Sequence, residues 1–383
     1  MKFEFATASR IIFGRHTAAQ AASLCREWGR SVLLVTGSHP ERASPIIDSL
    51  RSAGLDVSVF GIQKEPTLQE ARNGAVMARE IKAEAVIGLG GGSAVDGGKA
   101  VAALATQPGD ALDYLEVVGQ GRALDRPSLP FLAMPTTAGT GAEATRNAVL
   151  AVPEHGVKAS LRHASMLPRV ALIDPALALE CPPEVTAASG MDALTQCLEA
   201  FVSCRAQPMT DALCLEGIRR SMRSLERAVN DGRDLDARED MALAALYSGM
   251  ALANAGLGAV HGFAAPVGGQ FSAPHGAVCA ALLAPVWEAN LSAARQAAAP
   301  ETLERFQTAA ALLTGRPDAH AEAAPPVLSG LAERLRIPGL ASYGIRPQDL
   351  DGLALKASRA SSMKGNPVPL DLPALRSILQ AAL

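Results

Sequence analysis

Two histidines lie in a long stretch of the chain that has no other basic side chain and no carboxylate. From Met241 to Trp287 the sequence contains no Lys, Arg, Asp or Glu, and His261 and His275 are its basic groups. One histidine in an apolar region is more often a hydrogen-bonded core residue than a metal ligand. Two histidines on either side of a Gly- and Pro-rich break both need polar partners when buried, which favours a shared metal ion.

A carboxylate that could complete such a site lies earlier, in the segment Gly-Met-Asp-Ala-Leu-Thr-Gln that begins at Gly190. Asp192 and Gln196 are four residues apart, so they share one face of the helix predicted there. A buried Asp is costly unless it pairs or binds a cation, although it could instead interact with the dipole of its own helix. Asp192 with two imidazoles forms a competent divalent-metal set that leaves positions open for a substrate oxygen.

A glycine-rich turn follows the apolar strand predicted at residues 85–89. The chain continues Gly-Gly-Gly-Ser-Ala-Val-Asp from Gly90 into an Ala-rich helix that contains Lys99. Glycines let a ligand approach the backbone, and the free N–H groups at a helix N-terminus favour a phosphate; a tight turn without a ligand is the alternative. The segment fits neither the P-loop nor the Rossmann G-x-G-x-x-G pattern, because Ser93 occupies the place of the last glycine.

Alternating strand and helix patterns surround this turn in the first part of the chain. Such alternation favours a doubly wound, mainly parallel α/β sheet in a domain of residues 1–178. The second part, residues 179–383, has the helical period and predicts an all-α domain. Predicted strands are 3–14, 31–36, 57–60, 85–89, 130–135 and 170–173, with a hairpin at 147–152 and 157–161. Predicted helices are 17–28, 44–53, 67–82, 184–203, 208–229, 236–255, 275–292, 301–314, 320–335, 347–360 and 370–382.

The composition narrows the class of protein. The chain has 383 residues, of which 49% are hydrophobic and 19% charged, and its formal net charge is −3. Dispersed charge without a basic, aromatic-rich patch argues against a nucleic-acid partner. The uncharged run is Ala- and Gly-rich and broken by prolines, which argues against a membrane span. Six cysteines without a C-x-x-C pair, and no signal-peptide pattern, predict reduced thiols and a cytoplasmic protein.

Together these segments resemble the iron-containing (group III) alcohol dehydrogenase family, whose relatives include glycerol dehydrogenase and dehydroquinate synthase. The resemblance covers nearly the whole chain and is carried by the segments 13–14, 90–99, 135–143, 174–175, 190–195, 261–262 and 274–276. It implies an N-terminal α/β domain and an all-α C-terminal domain (dehydroquinate synthase-like). It also implies a nicotinamide dinucleotide, a divalent metal, a small alcohol or aldehyde substrate and a homodimer.

The resemblance further implies which residues form the sites. The metal ligands fall on Asp192, Gln196, His261 and His275, and the catalytic residues on Asp192, His261 and His275. The pyrophosphate is expected on the glycine-rich turn, in a cleft between residues 1–178 and 179–383. The predicted cofactor-binding residues are Gly37, Ser38, Gly91, Gly92, Ser93, Asp96 (near the nicotinamide), Thr136, Thr137, Gly139 and Lys158 (at the ribose).

Two positions depart from the family pattern. Gln196 stands where the iron enzymes carry a histidine, and Ala265 stands where they usually carry another histidine. The first change removes a nitrogen ligand, so the metal is expected to be iron or zinc, with zinc gaining weight. The second removes a possible proton-relay group, so the proton is expected to leave through water or a ribose hydroxyl.

The strand at residues 31–36 bears on the choice of dinucleotide. NADH-selective enzymes place a carboxylate beside the ribose 2′-OH, but Gly37, Ser38 and His39 follow this strand. We therefore expect a preference for NADPH, with His39 or Arg42 near a 2′-phosphate, although the nearby Glu41 opposes it.

The function predicted from these residues is reversible hydride transfer between an alcohol or aldehyde and NAD(P). A metal-independent enzyme like maleylacetate reductase is the alternative, because Gln196 weakens the ligand set. A dehydroquinate synthase-like lyase is a further alternative, but it should need several cationic side chains for its substrate. A non-catalytic binding protein is the remaining possibility.

Overall fold

The structure is a computed structural model that describes residues 2–383. Contacts within the chain divide it into two compact units. One unit, the α/β unit, comprises Thr7–Thr137 and Gly141–Leu179. The other, the helical unit, comprises Glu180–Leu383 with Ala138–Thr140 and the residues that precede Thr7.

The strands and helices follow the order of the chain. The strands are β1 (Ile11–Phe13), β2 (Ser31–Thr36), β3 (Asp56–Gly61), β4 (Ala85–Gly90), β5 (Phe131–Pro135), β6 (Asn147–Val152), β7 (Val157–Arg162) and β8 (Val170–Ile173). The helices of the α/β unit are α1 (Ala21–Arg26), α2 (Ser44–Ser52), α3 (Leu68–Glu80) and α4 (Gly92–Leu104). Those of the helical unit are α5 (Pro183–Val202), α6 (Pro208–Asn230), α7 (Leu235–Ala255), α8 (Ala259–Gln270), α9 (His275–Gln296), α10 (Pro300–Thr314), α11 (Ala324–Arg334), α12 (Leu350–Ser358) and α13 (Leu372–Ala381).

Within residues 2–383, the α/β unit contains a parallel sheet of six strands in the order β1-β8-β5-β4-β2-β3. Strands β6 and β7 form a separate antiparallel hairpin. All residues of β4 are buried, and apolar side chains pack on both faces of the sheet. The predicted doubly wound α/β domain followed by helices is therefore confirmed, because both sheet faces need cover and crossover helices provide it.

Glycines allow α4 to lie directly on β4. A Cβ on Gly98 would come within 2.8 Å of the Phe131 ring and 3.2 Å of the Cα of Gly88. A Cβ on Gly88 would itself lie 2.6 Å from that ring. Larger side chains at these positions would push the helix away from the strand, so these glycines allow the close packing of α4 on β4.

Local signals predicted several elements correctly, and α3 shows why. Thr67 accepts a hydrogen bond from the backbone of Glu70, and the Glu70 carboxylate accepts one from the Thr67 backbone, so a capping box starts the helix that was predicted at 67–82. The predicted strand at 3–14 is wrong in length, because β1 covers only Ile11–Phe13, where it pairs with β8. The predicted helix at 17–28 begins with a 3₁₀ turn at Thr17–Gln20.

The uncharged run forms the centre of the helical unit. It supplies most of α7, all of α8 and more than half of α9, and α8 was not predicted because glycines and Pro266 obscure its period. The α7 and α8 axes differ by 100° at a break where Gly256 has a φ of +71°. Helix α9 is long and apolar enough to span a membrane, but 67% of its most apolar window is buried within the protein. Its apolar character is that of a core helix.

The buried Lys99 joins α4, the helix that follows the glycine-rich turn, to the start of the β6–β7 hairpin. The Nζ of Lys99, which is 1% exposed, donates to the carbonyl of Ala142 at 2.8 Å and the hydroxyl of Thr145 at 2.9 Å. It also donates to the carbonyl of Asn147 and forms an ion pair with Asp96 at 2.9 Å. Removing the ammonium would leave these acceptors without their donor in the protein interior.

We predict that Lys99→Met lowers the free energy of unfolding by about 3 kcal/mol, the scale observed when one partner of a buried ion pair is removed. Urea denaturation monitored by circular dichroism measures the change. Lys356→Met, on the exposed face of α12, is the matched control and should change stability by less than about 0.5 kcal/mol. Equal stability of the two variants would contradict this role of Lys99.

Candidate functional site

Three helices of the helical unit bring four possible metal ligands together. Asp192 comes from α5, His261 from α8, and His275 and Cys279 from the first turns of α9. One ligand atom from each side chain lies within 4.8 Å of those from the others. The Oδ1 of Asp192 is 3.1 Å from the Nε2 of His261 and 3.8 Å from the Nε2 of His275. The predicted trio of Asp192, His261 and His275 thus meets at one point.

Close backbone packing sets the position of α9. A Cβ on Gly276 would lie 2.0 Å from the carbonyl oxygen of Ala188, so glycine allows the start of α9 to touch the backbone of α5. His275 is the first residue of α9 and Asp192 lies one turn beyond Ala188 on α5. The contact therefore brings the imidazole to the carboxylate.

A buried carboxylate sets the tautomer of His261. The Oε2 of Glu199 is 2.6 Å from the Nδ1 of His261, and the Oε1 accepts the backbone N–H of Val260 at 2.7 Å. The Nδ1–H donates to this carboxylate, so Nε2 is the ring nitrogen that faces Asp192 and that a metal could take. A second carboxylate that orients a histidine in this way is typical of metal-binding histidines.

The electrostatics of the cluster follow from its burial and mixed charges. Burial works to raise the pKa of Asp192, but the neighbouring His275 and His261 outweigh it and hold that pKa below its usual value. Burial works to lower the pKa of His261, yet Cys279 and Glu199 raise it well above the usual value. For Cys279, burial is outweighed by His261 and His275, which lower the pKa of the thiol.

Gln196 lies beside the cluster but directs its oxygen elsewhere. Its amide nitrogen donates to the Oδ2 of Asp192 at 3.3 Å, and its amide oxygen accepts from the hydroxyl of Ser248 at 2.9 Å. Ser248 also contacts the carbonyls of Gly139 and Ala245. In this arrangement Gln196 orients the Asp192 carboxylate, and its assignment as a ligand stays a prediction. Ala265 is exposed on α8.

The donor set fits a divalent transition metal. One carboxylate oxygen and two imidazole nitrogens are the ligand types of such sites, and a thiol sulfur is a ligand type of zinc. The Asp192 and His261 side chains are 2% and 7% exposed, whereas that of His275 is 38% exposed. The cluster is therefore buried on the α5 side and accessible on the side of His275.

Sequence reasoning missed two members of this arrangement, Cys279 and Glu199. The sequence spacing of each residue is a possible signal. Cys279 follows His275 by four residues and Glu199 follows Asp192 by seven, so each shares a helix face with a predicted ligand. Without the packing of α5 against α8 and α9, however, neither face could be assigned to the site.

The predicted dinucleotide residues of the α/β unit lie at the carboxyl ends of adjacent strands. Strand β4 lies between β2 and β5, and the three strands end at Thr36, Gly90 and Pro135. The carboxyl edge of a parallel sheet, where the strand order reverses, is the usual place for a nucleotide. The residues concerned are Gly37, Ser38, Gly91, Gly92, Ser93, Thr136 and Thr137.

Three other predicted cofactor residues have contacts within the protein. Asp96 accepts the backbone N–H of Val149 at 3.0 Å, in addition to its ion pair with Lys99. Lys158 forms an ion pair with Glu65 at 2.5 Å. Gly139 belongs to the helical unit, where an added Cβ would come within 2.6 Å of the Ser189 side chain. Their roles toward a cofactor stay predictions.

Comparison with known proteins gives a consistent result. The family model described as iron-containing alcohol dehydrogenase matches residues 8–175, and that of the C-terminal part of the Fe-containing family matches residues 186–383. Alcohol dehydrogenase 4 of Saccharomyces cerevisiae (strain YJM789) is 36% identical over 335 residues, which are 87% of this chain and 85% of the yeast protein.

Solved structures agree in fold. A 1,3-propanediol oxidoreductase superposes with a TM-score of 0.92 at 33% identity, covering 100% of both chains. The sulfoacetaldehyde reductase of Bifidobacterium kashiwanohense, solved in complex with NAD⁺, superposes with a TM-score of 0.88 at 27% identity and covers 100% of this chain and 99% of that one. The chain belongs to the iron-containing alcohol dehydrogenase family, whose members are oxidoreductases that act on CH–OH groups with a nicotinamide dinucleotide and a divalent metal.

Proposed function

We propose that this chain interconverts a small alcohol and its aldehyde by hydride transfer to or from NAD(P), with Asp192, His261 and His275 holding the metal. The observation that carries the proposal is the convergence of these three side chains at the run of residues 241–287, which has no Lys, Arg, Asp or Glu. In the oxidation direction, the alcohol carbon gives a hydride to the nicotinamide and the hydroxyl gives a proton to solvent. The products are the aldehyde, the reduced dinucleotide and one proton.

Each side chain has a distinct task in this scheme. The bound cation supplies Lewis-acid stabilisation of the negative charge that develops on the substrate oxygen. Asp192 provides the anionic ligand, held in place by the Gln196 amide. His261 is fixed by Glu199, and His275 forms the accessible side where the substrate oxygen approaches. Since Ala265 offers no titratable group, the proton leaves through water or a ribose hydroxyl.

The retained ligand cluster argues against the metal-independent alternative. A carboxylate and two imidazoles brought together without a cation would carry a desolvation cost of several kcal/mol, which a metal ion removes. An enzyme without a metal has no need to keep such a set. The metal-assisted dehydrogenase therefore accounts for these residues better than a maleylacetate reductase-like enzyme.

The metal itself gives the first test. Chelator-treated, metal-free protein should reduce aldehydes at least about 100-fold more slowly, because Lewis-acid stabilisation contributes several kcal/mol to such steps. Added zinc, iron or manganese should restore the rate. Binding of the reduced dinucleotide, followed by its fluorescence, is the control and should not change. Full turnover by protein shown to be metal-free by elemental analysis would refute the proposal.

The glycine-rich turn gives the second test. Gly91 has a φ of −69°, and an added Cβ would be 3.5 Å from the Thr137 side chain, so Gly91→Ala fits the fold. Because the methyl group would block the space through which a pyrophosphate reaches the backbone, we expect the Kd for the dinucleotide to rise at least tenfold. Gly352→Ala on α12, where an added Cβ meets nothing within 4 Å, is the control. Unchanged affinity in Gly91→Ala would remove the turn from the cofactor site.

We also propose a preference for NADPH. Its support is that Gly37 and Ser38 follow β2 without a carboxylate, while His39 lies exposed 3.1 Å from Glu41. The ratio of kcat/KM for NADPH to that for NADH should exceed one and should fall in His39→Ala. A clear preference for NADH would contradict this assignment.

Two further expectations concern the protein as a whole. The family resemblance supports a homodimer, which the molar mass from light scattering would reveal. The composition and free thiols support a location in the cytoplasm; the described cysteines are all unpaired.

A further inference from the structure

The residue at the usual fourth ligand position is not available as a ligand in this arrangement. Only the oxygen of an amide side chain can ligate a metal, and the Gln196 oxygen accepts a hydrogen bond from Ser248. Its nitrogen faces Asp192, where a carboxylate needs a donor. Turning the amide over would break both contacts and place its oxygen against the carboxylate.

A different side chain offers a donor at the cluster. The Sγ of Cys279 is 3.8 Å from the Nε2 of His261 and lies within 4.8 Å of the ligand atoms of Asp192 and His275. Cys279 is fully buried and one turn after His275, so both project from the same face of α9. Its sulfur therefore faces two imidazoles and a carboxylate rather than an apolar core.

The separations match those of a single tetrahedral centre. With bonds of about 2.0–2.1 Å to nitrogen or oxygen and about 2.3 Å to sulfur, neighbouring ligands lie about 3.3–3.6 Å apart. The two separations from Asp192 are 3.1 and 3.8 Å, and the separation of sulfur from His261 is 3.8 Å. The three remaining separations are no longer than 4.8 Å, so the four atoms would have to draw together by at most about 1 Å to bind one ion.

We propose that Cys279, not Gln196, is the fourth protein ligand, so that a carboxylate, two imidazoles and a thiolate hold the ion. This inference rests on the metal role proposed above. A thiolate in place of an imidazole makes the set softer, which selects zinc over manganese. The exposed side of His275 would leave room for a substrate oxygen beside the four protein ligands.

The other buried cysteines provide a contrast within the same chain. Burial raises the pKa of Cys25 and of Cys197 to about 12, as expected of thiols among apolar groups. Cys214 is likewise fully buried, on α6. These residues serve as packing, and Cys214 is a suitable control position.

The test loads metal-free full-length protein with cobalt(II) and records the absorption spectrum. Thiolate ligation gives a near-ultraviolet sulfur-to-cobalt charge-transfer band, whereas nitrogen and oxygen ligands give visible bands alone. We expect the charge-transfer band in the wild type and in Cys214→Ala, and its loss in Cys279→Ser. Competition titration should show zinc affinity reduced at least tenfold in Cys279→Ser, and manganese affinity changed much less.

The outcomes separate the two proposals. Visible cobalt bands without the charge-transfer band in the wild type would overturn the assignment of Cys279 and leave the metal-dependent function standing. Failure of the wild type to bind cobalt, zinc or iron would overturn both. Because the wild-type spectrum decides, the test survives even if Cys279→Ser does not fold. Protection of Cys279 from alkylation by bound zinc, measured by peptide mass spectrometry, should accompany the band.

Discussion

The helical unit depends on how it accommodates a carboxylate and two imidazoles among helices built largely from the uncharged run of residues 241–287. Asp192 and His261 are almost fully buried and must find polar partners or a cation, while the 38% exposed His275 forms the accessible side of the cluster. Their approach requires α5, α8 and α9 to touch closely. Gly276 makes one such contact possible, because its missing side chain leaves room for the Ala188 carbonyl. The close packing of these helices is therefore also what brings the possible metal ligands together.

Polar groups around the cluster hold its members in one orientation. Glu199 receives the Nδ1–H of His261 and also the backbone N–H of Val260, so the histidine and the start of α8 are fixed together. Ser248 and Gln196 extend the hydrogen bonds from α7 to Asp192. Ligands that are held before the metal arrives lose little freedom on binding, which favours both affinity and a defined geometry.

In the α/β unit, the main requirement is to position the glycine-rich turn between β4 and α4. The binding of a phosphate, proposed for the glycine-rich turn, needs accessible backbone N–H groups, and the glycines at the end of β4 and the start of α4 have no side chains to cover them. A glycine turn has no side chains with which to contact the rest of the protein. Lys99 provides that attachment, since its ammonium joins α4 to the segment before β6 and to β6 itself.

Much of the architecture could be predicted because local signals and tertiary packing agree. Thr67 and Glu70 mark the start of α3, and the strand before Gly90 is apolar throughout. The meeting of Asp192 with the two histidines was predictable from the cost of burying them. Helix α8 was not, because its glycines and Pro266 imitate a loop and only its neighbours keep it helical.

Cys279 shows the limit of sequence reasoning more sharply. A cysteine in an Ala-rich helix has the pattern of a small core residue, and nothing in its spacing relates it to Gln196, which lies on another helix. Only the packing of α5 against α9 shows that the thiol faces the ligand cluster. When a side chain on one helix takes the role proposed for a side chain on another, the sequence near either residue does not show it.

The most direct test is anomalous X-ray diffraction from crystals of the active, metal-loaded enzyme. The account predicts one strong peak per chain, about 2.0–2.3 Å from Asp192, the Nε2 of His261 and the Nε2 of His275. A fully active crystal in which the metal lies elsewhere, or in which this point has no anomalous signal, would contradict it.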